Sequence, residues 1–391
     1  MRNINFVRKP LVAALRKLAG QVPKRSPKQA LECVRIRQDE TGTYIAATDL
    51  ESYAEVQIDS FHHFEEISFL VPFQALKDFA SKSKRLSIDL ACSDATISLS
   101  DGSASVQLDT KPVDDFPIWA EMLEQREEIR VDAADFAAAI QRTLFAAAKE
   151  SSRYALDCIL FKVDDHTLRL VATDGCRLSV SETGCEKLGT MPDLYPRTDG
   201  TERLKSDFLL VSAATCKLLA KFLKTEKDAV SIWIDERSIL FVGNSFRLQT
   251  NLRPGRFFRW RDIFPGTANY QVELQVPQLL AAVSQAKQFT SEDCLGFDFA
   301  FGPGRLTLRS QNCEIPLEIS YFEEAFVVAL NPIFVEQYLK SLGKTDSTVT
   351  IEVIDDRKAV VFRFGDDKHL VMPLTRERAR SESRRYETVG V

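Results

Sequence analysis

Residues 166–182 read HTLRLVATDGCRLSVSE. Apolar and polar residues alternate on both sides of Asp174-Gly175. Alternation of this kind marks a half-buried antiparallel strand, and Asp-Gly between two such runs marks a tight turn. The stretch therefore predicts a hairpin. A shorter echo stands far upstream, where Ala47-Thr48-Asp49-Leu50 interrupts GTYIAATDLESYAEVQI, residues 42–58. An element that returns at a distance directs the search to internal repeats.

The same alternation recurs in ATISLSDGSASVQLD (95–109), AVSIWIDERSILFVGNSFRLQTN (229–251), RLTLRSQNCEIPLEIS (305–320) and TVTIEVIDDRKAVVFRFGDDKHLVM (348–372). DG, DER and DDRK supply turns within them. Helix-like segments lie between the strands. Arg8–Val22 carries Leu11, Leu15 and Leu18; Ala133–Glu150 carries Phe136, Ile140 and Leu144; Pro277–Glu292 carries Leu279, Val283 and Ala286. Each spacing places the apolar residues on one helical face. A second helix type, VPFQALKDFASKSK (71–84), VSAATCKLLAKFLK (211–224) and LNPIFVEQYLKSLGK (330–344), follows strand-like runs and ends in lysine, which suits the negative end of the helix dipole. Pro72 and Pro332 fit a first helical position, and Ser212 and Asn331 fit caps.

The unit is helix, strands, helix, strands, three times over: an α+β chain with two helices on antiparallel sheet in each of three similar domains. Asp115-Phe116-Pro117 and Ile263-Phe264-Pro265 each close a unit. The expected domains are 1–126, 127–268 and 269–374, with 183–207 an inserted loop and 375–391 a polar tail.

Composition narrows the function. Lys and Arg number 51 against 56 Asp and Glu, a net charge of −5, so any nucleic-acid surface must be local. No apolar run reaches the ~20 residues of a membrane helix, so no membrane partner is expected. The start, MRNINFVRKPLVAALRKLAG, is too interrupted by charge for a secretory core. Eight cysteines without a CxxC pair favour a reducing, cytoplasmic setting. Four histidines, His62, His63, His166 and His369, form no metal-binding pattern. GxGxxG, GxxxxGK[ST] and GxSxG are absent, and Phe301-Gly302-Pro303-Gly304 lacks the context of a phosphate loop. Nothing pairs Asp49, Asp174 or Cys176 with a base or nucleophile. No catalytic residue, metal or cofactor is expected, and the chain does not read as an enzyme.

The run Leu170–Val180, LVATDGCRLSV, resembles the bacterial DNA polymerase III beta subunit, the DNA sliding clamp. Further landmarks follow in order along nearly the whole chain: Asp115-Phe116-Pro117, Arg153-Tyr154 before Leu156, Gly255-Arg256-Phe257 and Leu370-Val371-Met372-Pro373-Leu374. The resemblance implies the DNA clamp fold, with three domains forming a half-ring and a head-to-tail homodimer closing it. It implies a processivity factor in DNA replication. The partners would be double-stranded DNA, DNA polymerase and clamp-loader subunits, the last two through short peptide motifs.

A clamp must hold DNA without stopping at any sequence, and phosphate contacts do that. The candidates on helices are Lys9, Arg16, Lys17, Lys77, Lys82, Arg142, Lys149, Lys217, Lys221, Lys287 and Lys340; Arg25, Arg153 and Tyr154 lie on loops that the family brings near DNA. Carried over by motif, the partner-peptide pocket takes Leu156, Thr173, Gly175, Cys176, Arg177, Leu178, Phe258 and Ile263. It adds Leu370, Val371, Met372, Pro373 and Leu374, with Thr173 and Arg177 expected to fix the peptide's polar groups. Ring closure would involve Phe79, Phe289 and Thr290. Departures stand out. Cys176 replaces the usual His, Phe258 a common Pro, and Asp262 a frequent Arg, and the chain runs on to Val391. These departures keep open an alternative: a divergent paralogue acting as an interaction scaffold with weak ring closure.

Overall fold

The alternation read at 166–182 is a hairpin. Thr167–Thr173 pairs antiparallel with Arg177–Gly184, from Thr167 opposite Gly184 to Thr173 opposite Leu178. The computed structural model describes residues 2–61, 66–93, 96–117, 128–150, 154–164, 166–188, 209–234, 237–290, 296–310 and 313–374. The expected tail, Arg153 and residues 189–207 of the expected insertion lie outside these. The helices are α1 (Arg8–Leu18), α2 (Phe73–Lys82), α3 (Ala133–Leu144), α4 (Ala213–Leu223), α5 (Val276–Lys287) and α6 (Pro332–Ser341). All strand pairings among the described residues are antiparallel, so the fold is α+β as expected.

The chain forms two compact units. The first holds Met1–Ala134, Cys185–Ser206 and Ala214–Leu252. It contains a five-stranded sheet and a nine-stranded sheet. In the larger sheet Phe246–Asn251 pairs with Ser52–Ile58, joining strands of the first and second sequence repeats. Helices α1 and α2 pack together. Leu11, Leu15 and Leu18 of α1 and Leu76 and Ala80 of α2 are buried. Helix α4 buries Phe222, which stacks on Phe246 at 4.9 Å between ring centroids.

The second unit holds Asp135–Gly184, Asp207–Ala213 and Arg253–Val391. Its eight-stranded sheet runs Leu209–Ser212, Cys158–Val163, Thr167–Thr173, Arg177–Gly184, Asp367–Val371, Val360–Phe364, Thr348–Val353, Tyr270–Gln275. A four-stranded sheet accompanies it. Leu279, Val283 and Ala286 of α5 and Val335, Tyr338 and Leu339 of α6 share one core with strands of both sheets.

Every helix is shorter than its periodicity suggested. Val71-Pro72 and Val211-Ser212 end strands instead of starting helices. Helix α3 stops at Leu144, where Thr143 Oγ1 donates back to the Ala139 carbonyl at 2.9 Å. Asn331 caps α6 as expected, its Oδ1 accepting from Ile333 N at 2.9 Å. The loop reading of 183–207 is corrected at its start: Glu186–Leu188 is a strand paired with Glu128–Asp132. Three residues are too few for alternation to reveal a strand.

Candidate functional site

Two adjacent strands of the eight-stranded sheet set the site. Arg177 lies opposite Val371, Leu178 opposite Leu370 and Ser179 opposite His369. Opposed residues share a face, and successive residues alternate. Leu178 and Leu370 therefore share one face, while Arg177, Val371 and His369 take the other. On the first face Leu178, Leu370, Val171, Val361 and Trp260 form an apolar floor. Phe257, Phe258, Phe264 and Met372 pack against it, half-buried.

Over this floor opens a cavity of about 710 Å³. Of the assigned pocket residues, Leu156, Thr173, Gly175, Arg177, Phe258, Ile263, Leu370 and Met372 line it. Leu178 is fully buried beneath. Val371 belongs to the core on the opposite face. Cys176 is exposed at the hairpin tip, its carbonyl accepting from Met372 N at 2.9 Å. Pro373 is buried, and Leu374 N donates to the Ala329 carbonyl at 2.8 Å. Four further residues line the cavity: Tyr154, which the family resemblance places near DNA, and Arg256, Phe257 and Arg259, to which the sequence motifs give no role. The signal that could have found the last three is the density of arginine and aromatic residues in RPGRFFRWR, 253–261.

The turn at the cavity lip is held by its own side chains. Thr173 Oγ1 donates to the Arg177 carbonyl at 2.6 Å and accepts from Gly175 N at 3.0 Å. Asp174 Oδ1 accepts from Cys176 N and Arg177 N. Gly175 has φ +90°, a conformation that costs glycine little. The upstream echo is the same device. Thr48 Oγ1 donates to the Ser52 carbonyl and accepts from Leu50 N, and Asp49 Oδ1 accepts from Glu51 N and Ser52 N. Leu50 occupies the glycine's place with φ 74°.

Arg177 is buried. Its Nε donates to Asp174 Oδ2 at 2.9 Å, one Nη to Gln337 Oε1 and the other to the Phe145 carbonyl at 2.7 Å. The guanidinium also lies 4.3 Å from the Phe334 ring centroid. Three of its five N–H donors are thus spent inside the protein. Burial lowers its pKa, against the opposing pull of Asp174. Thr173 is likewise engaged within the turn, so both residues shape the lip.

Behind Arg177, on the helix-covered face, His369 stacks on Tyr338 with centroids 4.7 Å apart. Burial first, then the Arg177 charge, holds the imidazole down to about 3. Asp367 accepts from Ser181 Oγ and Arg142, and burial pushes its carboxyl up from the ordinary range.

The assigned cations divide into two groups. Lys9, Arg16, Arg25, Lys82, Lys149, Lys217 and Lys221 are exposed. The other described cations are engaged, although Lys287 and Lys340 are exposed as well. Arg142 pairs with Asp367. Lys287 and Lys340 both reach the buried Glu336 carboxylate, at 2.8 and 2.6 Å. Burial would raise the Glu336 pKa, but these lysines and Ser284 bring it below the ordinary value. Lys17 donates to Thr225 Oγ1 at 2.6 Å, and burial lowers its pKa despite Glu226. Lys77 lies over the Phe73 ring. Of the ring-closure candidates, Phe289 is 54% exposed, while Phe79 and Thr290 are half-buried. Among the described residues no group of three His, Cys, Asp or Glu is placed to hold a metal ion. No helix there is long and apolar enough to cross a membrane.

Comparison with known proteins gives one family. Family models for the N-terminal and central domains of the DNA polymerase III beta subunit match residues 3–120 and 130–193. A beta sliding clamp from Chlamydia muridarum is 25% identical over 347 residues, covering 85% of this chain and 90% of that protein. A sliding clamp from Pseudomonas aeruginosa, solved with griselimycin bound, superposes with a TM-score of 0.83 at 22% identity, over 96% of this chain and all of that one. The Helicobacter pylori beta clamp bound to a DNA ligase peptide gives 0.82 at 18% identity, again over 96% and 100%. The fold is thus that of a DNA clamp. The family models, the relatives and the solved structures all point to the bacterial sliding clamp family, the beta subunit of DNA polymerase III.

Proposed function

We propose that the chain is a non-catalytic sliding clamp that encircles duplex DNA and tethers polymerase and repair proteins through short peptides seated in the cavity beside Leu370 and Met372. The observation that carries this reading is the cavity itself, a concave apolar surface bounded by a side-chain-locked turn. A site of this size and lining suits a few apolar anchors. The three sequence repeats, 1–126, 127–268 and 269–374, serve as the clamp's domains, and two chains complete a ring in the cytoplasm. The clamp loader would use the same cavity.

The exposed cations Lys9, Arg16, Arg25, Lys82, Lys149, Lys217 and Lys221 are the preferred phosphate contacts. Ring closure would draw on Phe79, Phe289 and Thr290. The outer strand Ser105–Asp109 of the five-stranded sheet, with Val106 exposed, offers an open edge for pairing. A scaffold that does not encircle DNA is the second reading. It is favoured by the engagement of Arg142, Lys287 and Lys340 with carboxylates, which reduces the cationic surface.

Primer extension on a circular single-stranded template, with the source organism's DNA polymerase III and clamp loader, tests the tethering. Adding the protein should lengthen products, and Met372→Asp should abolish the gain. Equal gain from the variant would reject the cavity as the tether.

A further inference from the structure

We infer that the cavity selects acidic peptides, in which carboxylates flank leucine or phenylalanine anchors. This inference rests on the tethering reading above. Arg256 and Arg259 line the cavity and are exposed. Among the described residues neither forms an ion pair, and no carboxylate side chain lines the cavity. Asp174, in the turn at the lip, is already joined to Arg177. Arg261, on the same segment, rests over the Trp260 ring at 4.7 Å, so it is not part of the rim pair.

The departure noted in the sequence, Asp262 in place of a frequent Arg, therefore does not leave the site without cations. Asp262 is exposed and does not line the cavity. The charge is instead carried by Arg256 and Arg259. An apolar floor rimmed by two guanidinium groups that pair with no carboxylate among the described residues discriminates by electrostatics: apolar anchors supply the contact, and carboxylates on either side form charge-assisted hydrogen bonds.

Two other occupants fit less well. The chain's own residues 375–391 carry five Arg and three Glu, a net +2 that the rim would repel. Single-stranded nucleic acid would satisfy arginine and aromatic groups. However, Leu156, Ile263, Leu370 and Met372 offer aliphatic surface, not a track for stacked bases.

The test uses the full-length protein and rhodamine-labelled short peptides that share two leucines and a phenylalanine. Their remaining positions are all glutamate, all glutamine or all lysine. Fluorescence anisotropy should give the glutamate peptide about 10-fold tighter binding than the glutamine peptide at low salt, shrinking to about 3-fold or less at high salt. Arg256→Gln with Arg259→Gln should bring the ratio to about one, and Arg256→Glu with Arg259→Glu should turn the preference to the lysine peptide. Equal binding of the glutamate and glutamine peptides by the unmodified protein would overturn the inference and leave the tethering reading intact. So would tighter binding of an oligothymidylate than of any peptide. If no peptide binds at all, the tethering reading fails and the inference falls with it.

Discussion

The Arg177 guanidinium donates to Asp174 Oδ2 at 2.9 Å and so ties the hairpin tip to its own second strand. Its other bonds, to Gln337 and the Phe145 carbonyl, anchor that tip to the helix-covered side of the sheet. Arg177→Ala would leave three part-buried acceptors without this donor. It is expected to lower unfolding stability by about 2–3 kcal/mol in urea titration, with Arg177→Lys recovering only part because an ammonium lacks the fork. A cost below about 0.5 kcal/mol would be typical of a surface residue and would contradict this role.

Leu50 and Gly175 occupy equivalent positions in two turns with the same hydrogen bonds. A left-handed conformation costs an L-residue about 1–2 kcal/mol. Leu50 is 46% exposed and gives up little packing on removal. Leu50→Gly should therefore stabilise the protein by about 0.5–1 kcal/mol after the entropy of glycine is counted, and Gly175→Ala should destabilise it by about 1–2 kcal/mol. Thermal melts of the two variants should shift in opposite directions.

His369 stays neutral in the fold down to about 3. The unfolded chain protonates its imidazole near 6.5, so between these values it binds more protons than the folded protein. The stability that His369 contributes is complete above about pH 6.5 and falls with acidification, at up to about 1.4 kcal/mol per pH unit. His369→Phe should flatten the acid limb in urea titrations run across that range. Asp367 acts in the opposite sense. Its raised carboxyl favours the folded state at low pH, and this contribution is lost as pH rises through the folded-state value. An unchanged acid limb in His369→Phe would refute the assignment.

The hairpin at 166–182, the six helices and most of the cavity lining were legible because alternation and helical spacing are local. The direction of Arg177 was not. It depends on the register that sets Arg177 opposite Val371, a pairing between strands almost two hundred residues apart. Glu336 and Lys340 could be read as an i, i+4 pair, but Lys287 reaches the same carboxylate only after α5 packs on α6. Arg256 and Arg259 stand in a run of arginines and aromatics where nothing local says which side chains face a cavity. Their place at the rim follows from the loop around Gly255, where Ala155 N bonds the Arg256 carbonyl. The helix ends were overrun because apolar spacing continues through the tight turns that follow them.

The lysines paired with Glu336 and those on α4 should separate in DNA binding. Lys217→Glu with Lys221→Glu, on α4, is expected to weaken retention on DNA and to reduce the salt slope by about 1 for each phosphate that is no longer neutralised. Lys287→Gln with Lys340→Gln should change that slope little, because both charges already face Glu336. The same salt series on both variants decides between the two sets.

The measurement that bears most directly on the encircling ring is retention on DNA after loading by the source organism's clamp loader with ATP. On nicked circular duplex the protein should remain bound through a gel-filtration column in salt high enough to screen phosphate contacts, and one cut that linearises the circle should release it. Equal retention on circular and linear DNA, or none on either, would contradict a clamp that slides on a threaded duplex.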